Sequence, residues 1–188
     1  MAQWGFYYDQ NRCMACRACM VACKDWKNVA LGPAKYRRVT EAEEGQAPFT
    51  KVYNLSLTCN HCEDPACMKV CPVNNIIKRK EDGIVVMLDK CISCKLCKAA
   101  CPYDNPQFAA MDPDEYPDME KCDLCLDRIS QGKQPACVAA CPQRALDAGP
   151  IDDLIAKYGE VRTVKGGFAD PNITKPNIIF NQRIYVGT

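Results

Sequence analysis

Cysteine is the residue type in this chain whose number and spacing point most directly to chemistry. The chain has 188 residues and 16 cysteines, which fall into four groups of four with none left over. The first and third groups share the spacing C-x2-C-x2-C-x3-C, the second is C-x2-C-x4-C-x3-C, and the fourth has an 11-residue loop before its last pair. Because thiolate sulfur binds zinc and iron–sulfur clusters, each group is a candidate metal site. The groups are Cys13, Cys16, Cys19 and Cys23; Cys59, Cys62, Cys67 and Cys71; Cys91, Cys94, Cys97 and Cys101; and Cys122, Cys125, Cys137 and Cys141.

The spacing within the groups favours iron–sulfur clusters. Three cysteines at positions i, i+3 and i+6 can surround one cluster because a loop of that length turns its sulfurs inward. We predict that the fourth cysteine lies on the first turn of a helix, points away from that cluster and binds a different one. Two such runs then exchange their fourth ligands, as in bacterial two-cluster ferredoxins. Proline follows the last cysteine in that ferredoxin pattern; Pro72, Pro102 and Pro142 do so here, and Lys24 takes that place in the first group.

Two other interpretations of the cysteines are weaker. Structural zinc uses paired C-x2-C knuckles separated by a longer arm, and only the fourth group resembles that arrangement. A secreted disulfide scaffold requires an export signal, and eight bridges would be dense for this length. The N-terminus shows no basic region followed by an apolar stretch, so no cleavable signal is visible.

Composition and motifs exclude several classes of function. The formal net charge of +1 lacks the basic footprint of a nucleic-acid-binding protein. The longest clean apolar run, residues 84–88, is far shorter than the ~18 residues that span a bilayer. The chain has neither a Gly-rich phosphate loop nor a G-x-S-x-G context around its serines. We therefore predict electron transfer without an active site for organic substrates.

The elements that must position the cysteines are short. Residues 76–79 and 84–88 flank a turn that contains Gly83, which predicts a β-hairpin, and residues 51–57 predict another strand. Residues 103–120 contain three prolines and many acids, which indicates a surface loop. A short helix is predicted after Pro150, with Ile151, Leu154, Ile155 and Tyr158 on one packing face and Gly159 at its end.

The last part of the chain, residues 168–188, contains two X-Pro pairs and scattered Ile and Phe residues. X-Pro pairs favour extended backbone, so the segment is predicted to be extended and to bury little surface alone. We expect it to lie across a partner subunit.

Several residues near the cysteines have two interpretations. His61, the sole histidine, either shields a cluster within its loop or takes part in proton coupling or an interface. Trp26 and Tyr103 either line an electron exit or pack beside a cluster. Each oxidised 4Fe–4S cluster with four thiolates carries about −2, so four would shift the formal charge to about −7. Basic residues near the ligands offset part of this charge or only solubilise the surface: Arg12, Arg17, Lys24, Lys27, Lys90, Lys95, Lys98, Lys121 and Arg128.

The order of the four groups, with the widened fourth group, resembles the four-cluster iron–sulfur subunits of molybdenum or tungsten bis-pterin oxidoreductases, nearest to those serving dimethyl sulfoxide reductases. The resemblance covers residues 5–23, the stretch CNHCEDPAC at 59–67, residues 121–142, and residues 145–177. It implies an α+β fold of two bacterial dicluster ferredoxin-like units related by a pseudo-two-fold repeat, with short helices, small β-hairpins and an extended C-terminal tail. The implied outer unit combines residues 1–50 with 105–150, the inner unit spans 51–104, and residues 151–188 make subunit contacts.

The resemblance also implies four 4Fe–4S clusters and their ligands. Nitrate reductase relatives have tryptophan in place of a third-group cysteine, whereas this chain keeps Cys97, so four cubanes are expected. The implied ligand sets are Cys13, Cys16, Cys19 and Cys141; Cys122, Cys125, Cys137 and Cys23; Cys59, Cys62, Cys67 and Cys101; and Cys91, Cys94, Cys97 and Cys71.

The function implied by the resemblance is that of a non-catalytic electron-transfer subunit. It would relay electrons between a large molybdenum or tungsten pterin catalytic subunit and a quinone-linked membrane subunit or other redox partner. A free-standing polyferredoxin shuttle is the alternative, and a zinc-stapled interaction module is a third. Cluster assembly is expected in the cytoplasm, followed by residence there, by membrane association through partners, or by export with a signal-bearing partner.

Overall fold

The computed structural model describes residues 2–109 and 117–185, and these form short helices and small sheets of a mixed α+β fold, as predicted. Many turns and loops connect the elements, so the cysteine groups lie mostly at element ends. In chain order the elements are β1 (Trp4–Asp9), α1 (Ala18–Trp26), β2 (Arg38–Glu44), β3 (Lys51–Leu57), α2 (Ala66–Lys69), β4 (Ile76–Lys78), β5 (Val85–Met87), α3 (Leu96–Ala100), β6 (Gln107–Phe108), β7 (Met119–Glu120), α4 (Leu126–Ile129), α5 (Ala136–Ala139), β8 (Leu146–Pro150), α6 (Ile151–Tyr158), a 3-10 turn (Pro171–Ile173) and β9 (Ile178–Asn181).

A three-stranded sheet in the order β8-β1-β9 joins the two ends of the chain. Strand β1 runs antiparallel to β8, with Phe6 opposite Ala148, and parallel to β9, with Tyr8 opposite Phe180. The aromatic side chains of β1 favour a strand and are buried. Gly5 allows the close approach of the next segment, because a Cβ at this position would lie 2.3 Å from the carbonyl oxygen of Asn177.

The predicted strands between the cysteine groups are confirmed. Strands β4 and β5 form an antiparallel hairpin with Ile76 opposite Met87, and Gly83 adopts a φ of 66° in its turn. Strand β3 has the bounds expected from the sequence, Lys51–Leu57, and pairs with β2 along its whole length. Strand β2 was not predicted because its residues are mostly charged and only Val39 is buried.

The prediction that residues 103–120 are a surface loop is partly wrong. Tyr103, Asn105 and Gln107 are buried, and β6 pairs antiparallel with β7. The two described ends of the segment pack beside the cysteine groups. Residues 110–116 lie outside the part of the chain that the structure describes.

For the part of residues 168–188 that forms β9, the predicted extended backbone is confirmed, but the prediction that it buries little surface alone is wrong. Ile178, Ile179 and Phe180 are fully buried, and the strand adds to the edge of β1. The segment therefore completes the chain's own core rather than requiring another subunit to cover it. The X-Pro pairs before β9 favour extended backbone, but they do not indicate which strand it would pair with. The strand could therefore not be predicted from this pattern. Residues 186–188 lie outside the described residues.

The helix predicted after Pro150 is confirmed as α6, which ends before Gly159. Ile151 and Leu154 are buried against Tyr7 and Ile179 of the sheet, so the apolar stripe is a packing face. The ring of Tyr158 stacks on that of Tyr7 with 3.6 Å between their centroids. Helix α6 thus covers one face of the three-stranded sheet.

The largest cluster of buried hydrophobic residues combines the other face of this sheet with cysteines from the first, second and fourth groups. Phe6, Tyr8 and Phe180 contribute large side chains, while the cysteines contribute buried sulfur. A core that contains this much thiol is suited to a bound inorganic group that fills the space between sulfurs. The cysteines in this core are Cys19, Cys23, Cys59, Cys122, Cys137 and Cys141.

Candidate metal centres

The third cysteine of every group begins a helix. Cys19, Cys67, Cys97 and Cys137 are each the second residue of their helix. The prediction that the fourth cysteine lies on the first helical turn is therefore wrong. Each helix begins one residue before the third cysteine, and the fourth cysteine follows the third by four residues. The fourth cysteine therefore lies one turn along the helix or just after the helix ends. Side chains four residues apart are neighbours on a helical surface, so each helix can serve two adjacent sites.

The loops of the first and third groups have the same backbone. The residues on either side of the middle cysteine adopt left-handed conformations in both loops: φ is 55° and 62° at Ala15 and Arg17, and 52° and 60° at Ser93 and Lys95. Non-glycine residues rarely adopt this conformation, so its recurrence at equivalent positions reflects a shared requirement. Alternating the backbone in this way turns three sulfurs toward one centre.

Three cavities are each lined by four cysteines, three from one group and one from another. The Cys16 cavity, defined by Cys13, Cys16, Cys19 and Cys141, contains about 340 Å³ free of protein atoms. The corresponding volumes are about 370 Å³ for the Cys62 cavity, which Cys59, Cys62, Cys67 and Cys101 line, and about 300 Å³ for the Cys94 cavity, which Cys71, Cys91, Cys94 and Cys97 line. The similar sizes and linings suit three copies of the same kind of occupant.

The remaining four cysteines, Cys23, Cys122, Cys125 and Cys137, are all buried and form the set we call the Cys122 quartet. Burial raises the pKa of Cys23 to about 12, and the nearby sulfurs of Cys137 and Cys125 add to that rise. Burial likewise raises the pKa of Cys122, with Cys23 and Cys137 adding to the effect. The mutual influence of these thiols indicates that they lie near one another.

The donor sets fit iron–sulfur clusters better than single metal ions. Within the described part of the chain, no three Cys, His, Asp or Glu side chains converge closely enough to hold one ion. The sulfurs instead surround cavities, as the ligands of a polynuclear cluster do. None of the sixteen cysteines forms a disulfide bridge, so all are available to bind such clusters as thiolates.

Burial keeps several of these thiols protonated in the absence of a metal. Burial raises the pKa of both Cys62 and Cys67 to about 12, and that of Cys97 to about 11. Since only thiolates ligate metal, cluster binding must release protons from these sites. The positive charge of iron supplies the driving force for that release.

His61 lies in the loop of the second group and is fully buried. Its Nδ1 accepts a hydrogen bond of 3.1 Å from the backbone N–H of Val85, and its carbonyl oxygen accepts one of 2.7 Å from the Asn177 side chain. Burial and the positive charge of Lys121 hold the pKa of His61 well below its ordinary value. The imidazole is therefore neutral and joins the loop to β5, while the His61 carbonyl joins the loop to the segment before β9.

The two aromatic residues singled out in the sequence lie in different settings. Trp26 is half-exposed, with its Nε1 donating to Asp127 at 2.7 Å and the Arg128 guanidinium 4.5 Å from its ring centroid. Tyr103 is buried, lines the Cys62 cavity and stacks on Phe168 with 5.0 Å between centroids. Tyr103 is thus a packing residue beside a candidate cluster site, and Trp26 ties α1 to α4.

Two basic residues are buried among the cysteines. Lys121 lines the Cys62 cavity, and its Nζ donates to the backbone carbonyls of Val85 and Cys122. Sequence reasoning identified Lys121 but missed Arg37, which is fully buried near the first and fourth groups. Arg37 lies 14 residues from the nearest cysteine in the chain, so proximity in sequence could not reveal it.

Among the described residues, no helix combines the length and apolar character needed to cross a membrane.

Comparison with known proteins gives two matches to iron–sulfur families. Residues 50–151 match the 4Fe-4S dicluster domain, and residues 4–25 match a 4Fe-4S binding domain. These matches and the sixteen cysteines are consistent with four 4Fe–4S clusters.

Similar proteins are components of several oxidoreductases. The sequence is 43% identical over 187 residues to one component of the anaerobic dimethyl sulfoxide reductase of Escherichia coli (strain K12), covering 94% of this chain and 87% of that protein. It is 34% identical to one component of the sulfite dehydrogenase of Allochromatium vinosum, with 89% and 77% covered. It is 37% identical to the thiosulfate reductase electron transfer subunit PhsB of Salmonella typhi, with 80% and 78% covered.

Proposed function

This protein belongs to the family of 4Fe–4S dicluster electron-transfer subunits of dimethyl sulfoxide reductase-type complexes, and on that premise we propose its place in such a complex. It relays electrons between a molybdenum or tungsten pterin catalytic subunit and a quinone-linked membrane subunit or other redox partner. It contributes no active site of its own. It reaches the membrane through its partners, after cluster assembly in the cytoplasm.

This proposal is supported by the order in which the cysteine sites neighbour one another. Cys19 of the Cys16 cavity lies near enough to Cys137 of the quartet for one sulfur to raise the pKa of the other. Cys122 of the quartet is related in the same way to Cys59 of the Cys62 cavity. The Cys62 and Cys94 cavities are joined through helices α2 and α3. Each helix provides one cysteine to each cavity, either within the helix or just beyond its end. Four sites in a row form a path rather than a reaction chamber.

The exposure of the cysteines supports entry and exit at the two ends of this path. Of the sixteen cysteines, only Cys16 and Cys94 are exposed, and they belong to the first and last sites in the row. Electrons can be exchanged efficiently only where a cluster comes close to a partner's redox centre. We therefore propose that one partner docks near Cys16 and the other near Cys94.

We propose that the ligands follow the cavities. One cluster is held by Cys13, Cys16, Cys19 and Cys141, and its neighbour by Cys122, Cys125, Cys137 and Cys23. The other two are held by Cys59, Cys62, Cys67 and Cys101, and by Cys91, Cys94, Cys97 and Cys71. In this arrangement the chain divides into an outer unit of residues 1–50 and 105–150, an inner unit of 51–104, and a C-terminal segment of 151–188.

Iron analysis of the purified protein tests the cluster content. We expect about sixteen irons per chain and low-temperature EPR signals from reduced clusters after dithionite treatment. Zinc without iron would overturn the proposal.

Co-purification from the native cells distinguishes a complex subunit from a free shuttle. The tagged protein should retain a large pterin-containing subunit. Recovery of the fully iron-loaded protein alone would contradict the proposed place in a complex.

A further inference from the structure

Arg37 is a buried positive charge without a carboxylate partner. Its exposed fraction is 1%, yet none of the ion pairs formed within residues 2–109 and 117–185 includes it. Its Nε and one terminal nitrogen also have no hydrogen-bond partner among those residues. A buried guanidinium ordinarily requires a compensating negative charge because its desolvation is costly. The described protein atoms do not provide that charge.

The contacts of Arg37 direct it toward the first cysteine group. The other terminal nitrogen, Nη1, donates to the Ser56 Oγ at 3.1 Å, and that oxygen lies 3.5 Å from the Cys19 Sγ. The Phe6 ring also contacts Arg37, with its centroid 4.9 Å from the guanidinium carbon. Arg37 is thus fixed between the aromatic core and the sulfur of a proposed cluster ligand.

Arg37 lies beside two neighbouring cluster sites, because Tyr36 and Val39 pack in the same buried cluster as cysteines of both sites, Cys19, Cys23, Cys122 and Cys137. Burial on its own would lower the pKa of the guanidinium, but its electrostatic interaction with four nearby cysteines raises it above its ordinary value. One of these cysteines belongs to the Cys16 cavity and three to the Cys122 quartet. They are Cys137, Cys19, Cys122 and Cys23.

Because oxidised clusters with four thiolates are anionic, they supply the negative charge that the protein atoms around Arg37 lack. We propose that Arg37 is a fixed charge shared by the clusters of the Cys16 cavity and the Cys122 quartet, and that it raises the reduction potential of both. Adding one electron to either cluster increases its negative charge by one unit, and a nearby fixed positive charge stabilises that reduced state. This inference rests on the proposed function, since it requires clusters at both sites.

Lys121, the other basic residue buried among the cysteines, differs from Arg37 in its hydrogen bonds. Its Nζ is satisfied by two backbone carbonyls, which it holds together between β5 and the fourth group. Arg37 makes backbone contact only through a long bond of 3.3 Å to the Ser56 carbonyl and leaves two nitrogens free of partners among the described residues. Its unused hydrogen-bonding capacity is what a residue facing an anionic cofactor would have.

The test is redox titration of the iron-loaded protein monitored by EPR, with Arg37→Gln, Arg37→Lys and Arg12→Gln. Arg37→Gln removes the charge, and we expect at least a tenfold loss in the equilibrium constant for reduction of two of the four clusters, which corresponds to about 59 mV for one electron. Arg37→Lys keeps the charge, so the reduction potentials of these two clusters should stay close to the wild-type values. Arg12 is also close to the first group in sequence, but its side chain is 62% exposed, so Arg12→Gln should leave all potentials nearly unchanged because water screens its charge.

Iron content is measured for every variant, which distinguishes a loss of clusters from a change in their reduction potentials. If Arg37→Gln loses iron while Arg37→Lys keeps iron and wild-type potentials, the charge role is supported. If Arg37→Gln keeps its iron with unchanged potentials, or if Arg37→Lys loses iron as Arg37→Gln does, the inference is overturned. Wild-type protein without four clusters would instead refute the proposed function, which the iron count shows independently.

Discussion

At the scale of single residues, the loop of the first cysteine group depends on left-handed backbone at Ala15 and Arg17. The spacing of Cys13, Cys16 and Cys19 was enough to predict one shared centre. It could not reveal the left-handed conformations at Ala15 and Arg17, because neither residue type favours them. Arg37 was missed for a related reason: a buried charge is recognised only when the fold shows which sulfurs surround it.

The proposed exchange of fourth ligands can be tested with two cysteines of one helix region. Cys141 lines the Cys16 cavity, whereas Cys137, four residues earlier, belongs to the Cys122 quartet. We expect Cys141→Ser to alter or remove the cluster ligated by the first group, and Cys137→Ser to affect its neighbour. EPR-monitored redox titration distinguishes the two clusters by their potentials. Loss of the same signal in both variants would show that the ligands are not exchanged.

At the scale of elements, the sequence predicted those with a clear periodic pattern. The β4–β5 hairpin, strand β3 and helix α6 each have an apolar pattern, and a glycine or proline marks a boundary of the hairpin and the helix. Strand β9 has an apolar run but no local turn to indicate its partner, which is β1 at the opposite end of the chain. Pairing over such a sequence distance depends on the whole fold and cannot be read from a local pattern.

The contribution of β9 to the chain's own stability can be measured by shortening one side chain. Ile179 is 0% exposed, and replacing it with alanine should cost about 2–5 kcal/mol. Thermal unfolding should therefore begin at least about 4 °C lower. Ile184→Ala is the control, since Ile184 is 76% exposed and its loss should change the melting temperature little. Equal melting temperatures for both variants would show that burial of Ile179 in β9 does not stabilise this chain.

The link between β8 and α6 gives a pH-dependent prediction. Burial would raise the pKa of Asp147, but hydrogen bonds from Tyr158 at 2.7 Å and Lys157 at 3.0 Å lower it below its ordinary value of 3.8. A lowered folded-state pKa means that this stabilisation is complete above pH 3.8 and is lost as the pH falls through the folded-state value. We therefore expect Asp147→Asn to lower the free energy of unfolding by about 1 kcal/mol. The decrease should be the same at about pH 5 and at about pH 8.

Differential melting of the wild type and Asp147→Asn at the two pH values checks this. Glu43→Gln is the control, because Glu43 is an exposed carboxylate on β2 that makes no ion pair within the described residues. A difference between wild type and Asp147→Asn that shrinks markedly at the lower pH would show that the carboxyl titrates near or above its ordinary pKa. The hydrogen bonds to α6 would then be weaker than the distances indicate.

At the scale of the whole molecule, the sulfurs are part of the core rather than additions to it. Cysteines from three groups lie in the same buried cluster as Phe6, Tyr8 and Phe180. Removing the clusters would leave the cysteine-lined cavities beside this core empty. Because cavities of this kind destabilise a core, the chain should depend on its clusters for folding.

Oxidative removal of iron in the presence of a chelator tests this dependence. We expect loss of near-ultraviolet circular dichroism and rapid proteolysis throughout the chain, not only near the cysteines, since metal-binding free energy becomes folding free energy in small metal domains. If iron is removed stepwise, the same two measurements would show whether the extent of unfolding increases in proportion to the iron lost. Apo-protein that keeps the melting temperature of the loaded protein would contradict the prediction.

The interleaving of the two ends of the chain also constrains its synthesis. All eight cysteines of the Cys62 and Cys94 cavities lie between residues 59 and 101, so both can close while the rest of the chain is still being translated. Cys13, Cys16 and Cys19 leave the ribosome first, but the partner in their cavity, Cys141, follows Cys13 by 128 residues. The earliest thiols to emerge are therefore among the last to be completed, and they must stay reduced and unoccupied by foreign metal throughout elongation.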